Sequence, residues 1–206
     1  DPAMTGKTGA IMYAVDQKNQ MRYVLDVFNM SDPTPGKIRA LMEDWVDRYR
    51  PNELRIEINA HQKSYALDEE LRMWLGSKGV AMRSHFTGKN KWDTSFGVAG
   101  MSGLFGTSID GKHDGNNLIE LPTHENNEHV KALINQLITW KADTKGPTDL
   151  VMALWFCEIR AKEMLQHGQF QKSHLQNRYA TRKALAQRGS VNLDEWASEN
   201  IDTLYV

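Results

Sequence analysis

The sequence contains a single cysteine in its 206 residues, Cys157, so it can form no internal disulfide bond. This cysteine usage is typical of proteins in a reducing cytoplasm. No apolar stretch approaches the roughly 20 residues that a membrane-spanning helix needs, and no signal peptide is recognisable. The formal net charge is only −1, which does not by itself indicate nucleic-acid binding. These absences favour one cytoplasmic globular domain with no membrane association.

A further absence concerns the opening segment, "DPAMTGKTG", whose Gly-Lys-Thr resembles the end of a phosphate-binding loop. That loop requires a glycine five positions before its final Gly-Lys and a helix after it. Asp1 occupies the position of that glycine, and the residues that follow alternate as in a strand. The segment is therefore not predicted to bind a nucleotide.

The residues that are present predict an α/β fold with a mixed sheet. Apolar residues make up 40% of the chain, which is enough for a substantial core, and Cys157 is predicted to be a small buried hydrophobe within it. Period-two alternation predicts a hairpin from 9–16 and 21–28, and further strands at 53–58, 80–85 and 118–122. Helical periodicity predicts helices at 34–50, 67–79, 126–141 and 147–164. The polar, turn-rich stretch 108–117 is predicted to be an exposed excursion.

The composition changes near residue 165. Five Lys or Arg and no acid lie between Leu165 and Arg188, and four acids and no base lie between Gly189 and Val206. Such charge segregation is typical of a solvated tail. We therefore predict a folded domain at 1–164 and a polar tail at 165–206.

Three carboxylates lie in unusual surroundings: Asp1 before the hairpin, Glu57 within the apolar strand "RIEI", and Asp149 at the first turn of the most apolar helix. Each also has an ordinary structural explanation, since Asp149 can stabilise a helix dipole and Glu57 can lie on a solvated strand face. Together, strand-borne acids and an acid at the start of a late helix match the way the ribonuclease-H-like fold holds two divalent cations about 4 Å apart. The sequence contains no Cys/His cluster that would indicate a zinc site instead.

Four segments, taken in order, resemble the C-terminal nuclease domain of the large terminase subunit of tailed bacteriophages: "DPAMTGKTGAIMYAV", "LRIEINAHQKSY", "HFTGKNKWD" and "PTDLVMALWFCEI". The resemblance implies a ribonuclease-H-like, resolvase- or integrase-like mixed sheet flanked by helices. It implies that Asp1, Glu57 and Asp149 bind two Mg²⁺ or Mn²⁺ ions. It also implies that residues of the third segment face the DNA, namely His85, Lys89 and Lys91, although His85 can equally be an ordinary loop histidine.

The implied activity is metal-dependent cleavage of double-stranded viral DNA during genome packaging, by two-metal phosphodiester hydrolysis. The implied partners are double-stranded DNA, the ATPase motor domain that precedes the nuclease in this family, the portal of the procapsid, and the small terminase subunit. The implied location is the cytoplasm of an infected bacterium. A ribonuclease-H-like sheet also needs a strand that ends at Asp1, which these 206 residues do not include.

Two other interpretations remain open. One is another ribonuclease-H-like nuclease, such as a junction resolvase. The other is a docking module for the portal or the small subunit, with weak or vestigial metal binding, which the charge-segregated tail favours. Cation-dependent nicking of plasmid DNA separates the nucleases from the docking module.

Overall fold

The computed structural model of the protein describes residues 8–31, 34–57, 67–86, 97–107, 113–123, 125–141 and 147–166. Asp1, Lys89, Lys91 and residues 167–206 of the predicted tail lie outside these ranges. The chain divides into two compact units, Asp1–Ala161 and Lys162–Val206. Almost all described residues belong to the first unit, and the predicted boundary at residue 165 stays a prediction.

Helices and strands are interspersed along the chain, as expected for an α/β fold. The strands are β1 (Thr8–Asp16), β2 (Met21–Met30), β3 (Glu53–Glu57), β4 (Ala81–His85), β5 (Phe105–Thr107), β6 (His113–Asn117) and β7 (Ile119–Glu120). The helices are α1 (Pro35–Tyr49), α2 (Glu69–Ser77), α3 (Glu128–Thr139) and α4 (149–166), and a 3₁₀ helix covers Val98–Leu104. The predicted α/β class is confirmed.

β1 and β2 form the predicted antiparallel hairpin, joined by a turn at residues 17–20. The Asp16 carboxylate stabilises this turn by accepting hydrogen bonds from the backbone N–H groups of Lys18 (2.9 Å) and Asn19 (3.1 Å). β1 begins at Thr8, so a strand and not a helix follows the opening Gly-Lys-Thr. This arrangement agrees with the exclusion of a phosphate-binding loop.

β2 carries a bulge at Leu25, which has no opposite residue on β1. The extra residue shifts the side-chain alternation of β2 by one position. Arg22 and Val24 before the bulge and Val27 after it are therefore all buried, while Leu25 is exposed. The consequence is that a charged side chain, that of Arg22, lies in the interior.

The main sheet has the order β1-β2-β7 and is mixed, because β7 pairs with β2 in parallel. Its principal core cluster includes side chains from β2, α3 and α4, among them Val27, Val130, Leu133, Leu150 and Leu154. β5 and β6 pair separately in antiparallel fashion. Residues 113–117, for which turns and an exposed excursion were predicted, form strand β6, because pairing with β5 overrides a composition that favours turns.

β3 and β4 form a parallel pair connected through α2, the usual way to join neighbouring parallel strands. An apolar cluster of Val46, Leu71, Leu75 and Val80 lies on the helix side, with Leu54 of β3 packed against it. Alternation then places the charged residues of β3 on the opposite face. Among the described residues, this pair is not hydrogen-bonded to the β1-β2-β7 sheet.

β1 approaches the first turn of α4 very closely at Gly9. A β-carbon at this position would lie 2.7 Å from the carbonyl carbon and oxygen of Asp149 and 2.9 Å from the nitrogen of Leu150. These are backbone atoms and cannot rotate away, so only glycine fits unless the strand or the helix moves.

We expect Gly9→Ala to lower the free energy of unfolding by about 2 kcal/mol, because a methyl group added to a filled space forces the backbone to shift. Gly76→Ala is the matched control. Nothing lies within 4 Å of a β-carbon at Gly76, and alanine is the better residue in helix α2, so this variant should be slightly more stable than the parent. Urea unfolding measures both effects. Equal stability of Gly9→Ala and the parent would contradict the close approach.

Candidate functional site

Two of the predicted site residues, Glu57 and His85, are cross-strand neighbours. Each is the last residue of its strand, and the parallel register pairs them directly. Adjacent strands lie about 4.8 Å apart, so the two side chains extend side by side from the same end of the β3–β4 pair. Both residues are partly buried.

His85 also contacts α4. Its ring centroid lies 5.0 Å from that of Phe156 and 5.7 Å from that of Trp155, the latter in an edge-to-face arrangement. The structure thus places His85 at the end of β4 against a helix, before the loop in which the family resemblance placed it. Its role toward DNA stays a prediction.

α4 runs antiparallel to β3, and its N-terminus extends past the strand end that carries Glu57. Arg160 of α4 pairs with Glu53, at the start of β3, over 3.1 Å, whereas Phe156 lies at the other end, against His85. Asp149 is the first residue of α4. It precedes Phe156 by seven residues, or about two helical turns, so it shares the Phe156 face of the helix about 10 Å further along the axis.

Glu57, His85 and the start of α4 therefore lie toward the same end of the β3–β4 pair. Within the described ranges, no group of three His, Cys, Asp or Glu side chains is arranged to hold a metal ion. Asp1, the third predicted carboxylate, and the predicted phosphate contacts Lys89 and Lys91 lie outside these ranges. The described part of the chain thus contains two of the three predicted acids.

The first turn of α4 is capped by α3. The buried side chain of Gln136 accepts hydrogen bonds from the backbone N–H groups of Leu150 (3.0 Å) and Val151 (3.3 Å). These N–H groups have no partner within their own helix. Because Gln136 satisfies them, the Asp149 carboxylate is not needed to cap them.

Sequence reasoning missed the other charges on the Glu57 face of β3. Glu53 pairs with Arg55 (2.9 Å) as well as with Arg160. Arg55 lies between Glu53 and Glu57 on this face, since residues two apart in a strand point the same way. The signal was available in "ELRIE", where charged and apolar residues alternate.

Sequence reasoning also missed a buried ion pair that joins α4 to the hairpin. Arg22 donates hydrogen bonds from Nε and Nη2 to the two carboxylate oxygens of Glu158, each at 3.1 Å, and the Tyr13 hydroxyl donates to the same carboxylate at 3.1 Å. Arg22 and Glu158 are only 6% and 1% exposed, so water cannot replace these bonds. The available signal was a charged residue inside each of two largely apolar stretches, Arg22 in "MRYVLDVF" and Glu158 in "LVMALWFCEI".

Groups beside this ion pair are held in their protonated forms. Burial, together with the neighbouring Glu158 carboxylate, raises the pKa of the Tyr13 hydroxyl above its usual range. Burial also raises the pKa of the Cys157 thiol to about 12. Cys157 is partly exposed, so the predicted burial is only partial. Its thiol is protonated at neutral pH, which agrees with the prediction that it is not a nucleophile.

No protein-family model matches the sequence, and no curated protein matches it either. None of the described helices is long and apolar enough to cross a membrane. Function is therefore inferred from the residues of the site and from the resemblance of the four segments.

Proposed function

We propose that the protein is a divalent-cation-dependent endonuclease that cuts double-stranded DNA, of the kind found in the large terminase subunit of tailed bacteriophages. The supporting observation is the placement of Glu57 at the end of β3 and of Asp149 at the start of α4, which extends past that same strand end. Carboxylates from distant segments gathered at one sheet end are the arrangement that two-metal nucleases use.

A ribonuclease-H-like fold forms part of this proposal. The antiparallel β1–β2 hairpin, the parallel β3–β4 pair and a helix that contacts both support it: α4 touches β1 at Gly9 and β3 at Glu53. In such a fold, a further strand lies between β1 and β3. That strand would join the two sheets into one.

The donor atoms suit Mg²⁺ or Mn²⁺. Glu57 and Asp149 provide carboxylate oxygens, the ligands that hard divalent cations prefer, and the one thiol of the chain, Cys157, is protonated. We assign Asp1 as the third carboxylate. Asp1, Glu57 and Asp149 would hold the two cations, and the cations would supply an activated water and charge neutralisation for hydrolysis to 5′-phosphate and 3′-hydroxyl ends.

The remaining roles belong to residues around the acids. We assign His85 to substrate positioning, because it lies beside Glu57 and its ring contacts Phe156 and Trp155. Lys89 and Lys91 are assigned to DNA phosphates, on which an ammonium group acts as a point charge. The motor domain, the portal and the small terminase subunit are the proposed protein partners, in the cytoplasm of an infected bacterium.

Nicking of supercoiled plasmid DNA tests this proposal. Folded protein should produce relaxed and linear DNA with Mn²⁺ or Mg²⁺, and none when EDTA is added. If folded protein cuts with neither metal, the nuclease proposal fails and the docking module becomes the better interpretation. Binding to purified portal or small subunit would then be the next measurement.

A further inference from the structure

We propose that the buried network of Tyr13, Arg22 and Glu158 holds α4 in one register along β1 and thereby sets the position of Asp149. Glu158 is in this sense a positioning residue, which acts on the site through the helix. The role of Asp149 in metal binding rests on the proposed function. The register of α4 along β1 does not depend on that proposal.

β1 contacts α4 at two points, and the distance between these points is about the same along the strand as along the helix. Gly9 lies against the backbone of Asp149, and Tyr13 binds Glu158. Four residues of strand advance about 13 Å, and nine residues of helix advance about 13.5 Å. Strand and helix therefore run side by side in the same direction, and both contacts form together in this register.

Apolar packing alone would fix the register weakly, because side chains of similar size can repack after a small slide. The ion pair restricts the position of α4 more strictly, because its hydrogen bonds are directional. Sliding α4 by one residue, about 1.5 Å, would break the two parallel N–H···O bonds from Arg22 to Glu158. Both charges would then be buried and unpaired, which proteins tolerate poorly.

Glu158 cannot act beside Asp149 as a ligand. Nine residues correspond to about two and a half helical turns, so the two acids lie on opposite sides of α4. Because the helix moves as a rigid rod, a slide at Glu158 displaces Asp149 by the same distance. A displacement of about 1.5 Å exceeds what metal coordination tolerates, roughly 0.2 Å in ligand distance.

Two substitutions in the network test the proposal. Tyr13→Phe keeps the ring and removes one hydrogen bond, and Glu158→Gln keeps the shape and removes the charge. Val46→Ala is the control, because Val46 is buried in the separate cluster beside α2, away from the network. Two quantities are measured for all variants. The first is the Mn²⁺ affinity, from the electron paramagnetic resonance signal of unbound Mn²⁺. The second is the rate at which a thiol reagent modifies Cys157, called the thiol rate below.

The thiol rate reports on the β1–α4 contact, since Cys157 adjoins Glu158 and its sulfur lies 3.9 Å from the Ile11 carbonyl oxygen. Tyr13→Phe and Glu158→Gln should weaken Mn²⁺ binding about tenfold. They should also raise the thiol rate beyond what their measured global unfolding accounts for. Val46→Ala should leave Mn²⁺ affinity unchanged, and its thiol rate should follow its global unfolding alone.

Parent-like thiol rates and Mn²⁺ affinities in a folded Glu158→Gln variant would overturn the proposal. If Glu158→Gln does not fold, the variant Tyr13→Phe/Arg22→Met/Glu158→Leu, in which all three polar groups are replaced by apolar ones, decides the matter by the same two readouts. If the parent itself binds no Mn²⁺ and cuts no DNA, the proposed function fails. The rates of Cys157 modification then decide the register: a rise in Glu158→Gln supports it, and no rise overturns it.

Discussion

Glu57→Ala and Asp149→Ala should each reduce Mn²⁺-dependent plasmid nicking by about a hundredfold or more, while the circular dichroism spectrum stays that of the parent. Each substitution removes an anionic oxygen ligand from the proposed site, and such ligands hold hard divalent cations. The same variants should lose the rise in melting temperature that Mn²⁺ gives the parent, because that rise reflects binding to the folded state.

The matched controls are acids in equivalent structural positions away from the site. Glu120 is an exposed acid at the end of strand β7, as Glu57 is at the end of β3. Glu128 is the first residue of α3 and is exposed, with Lys131 as its partner, and it corresponds to Asp149 at the start of α4. Glu120→Ala and Glu128→Ala should cut like the parent. Normal cutting by Glu57→Ala, with loss in either control, would show that the acids are misassigned.

Glu158→Leu should lower the free energy of unfolding by about 3–5 kcal/mol, because it leaves the Arg22 guanidinium buried without a counter-charge. Urea unfolding followed by tryptophan fluorescence measures the loss. Glu128→Ala, which removes an exposed ion pair and the acid in the first turn of α3, should lower the free energy of unfolding by about 1 kcal/mol at most. A Glu158→Leu variant as stable as the parent would show that the pair does not form.

Stability and positioning can be separated within this network. The triple variant Tyr13→Phe/Arg22→Met/Glu158→Leu replaces all three polar groups by apolar ones of similar volume, and it should recover most of the lost stability. If directional bonds set the register of α4, its Mn²⁺ affinity should stay below that of the parent. Full recovery of both quantities would mean that packing alone places Asp149.

The parts of the fold that could be predicted depend on local chemistry. The start of α1 follows from Thr34, whose side chain caps the helix, and from Pro35 in the first turn. The end of α2 follows from Gly79, which has a positive φ of 74°. The hairpin follows from alternation on both sides of a polar turn.

The features that escaped prediction depend on partners far away in the sequence. The bulge at Leu25 results from the register of β2 against β1, and residues 113–117 form a strand because they pair with β5. The requirement for glycine at position 9 comes from α4, and the burial of Arg22 is acceptable only because Glu158 faces it. No local pattern shows which distant residues form these contacts.

The candidate site shows the same division. Glu57 and Asp149 could be selected from their surroundings in the sequence, because Glu57 interrupts an apolar strand and Asp149 lies in the first turn of the most apolar helix. Two contacts determine that α4 extends beyond the end of β3: Arg160 pairs with Glu53, and Phe156 packs against His85. These contacts join distant segments, so the sequence could indicate the acids and not their arrangement.

The most direct test of the proposed function is to locate Mn²⁺ in crystals of the protein by its anomalous scattering. We predict Mn²⁺ density between the carboxylates of Glu57 and Asp149, at the end of the β3–β4 pair and beside His85. Its absence there in crystals of an active preparation, with Mn²⁺ bound only at other acids, would contradict the proposed site.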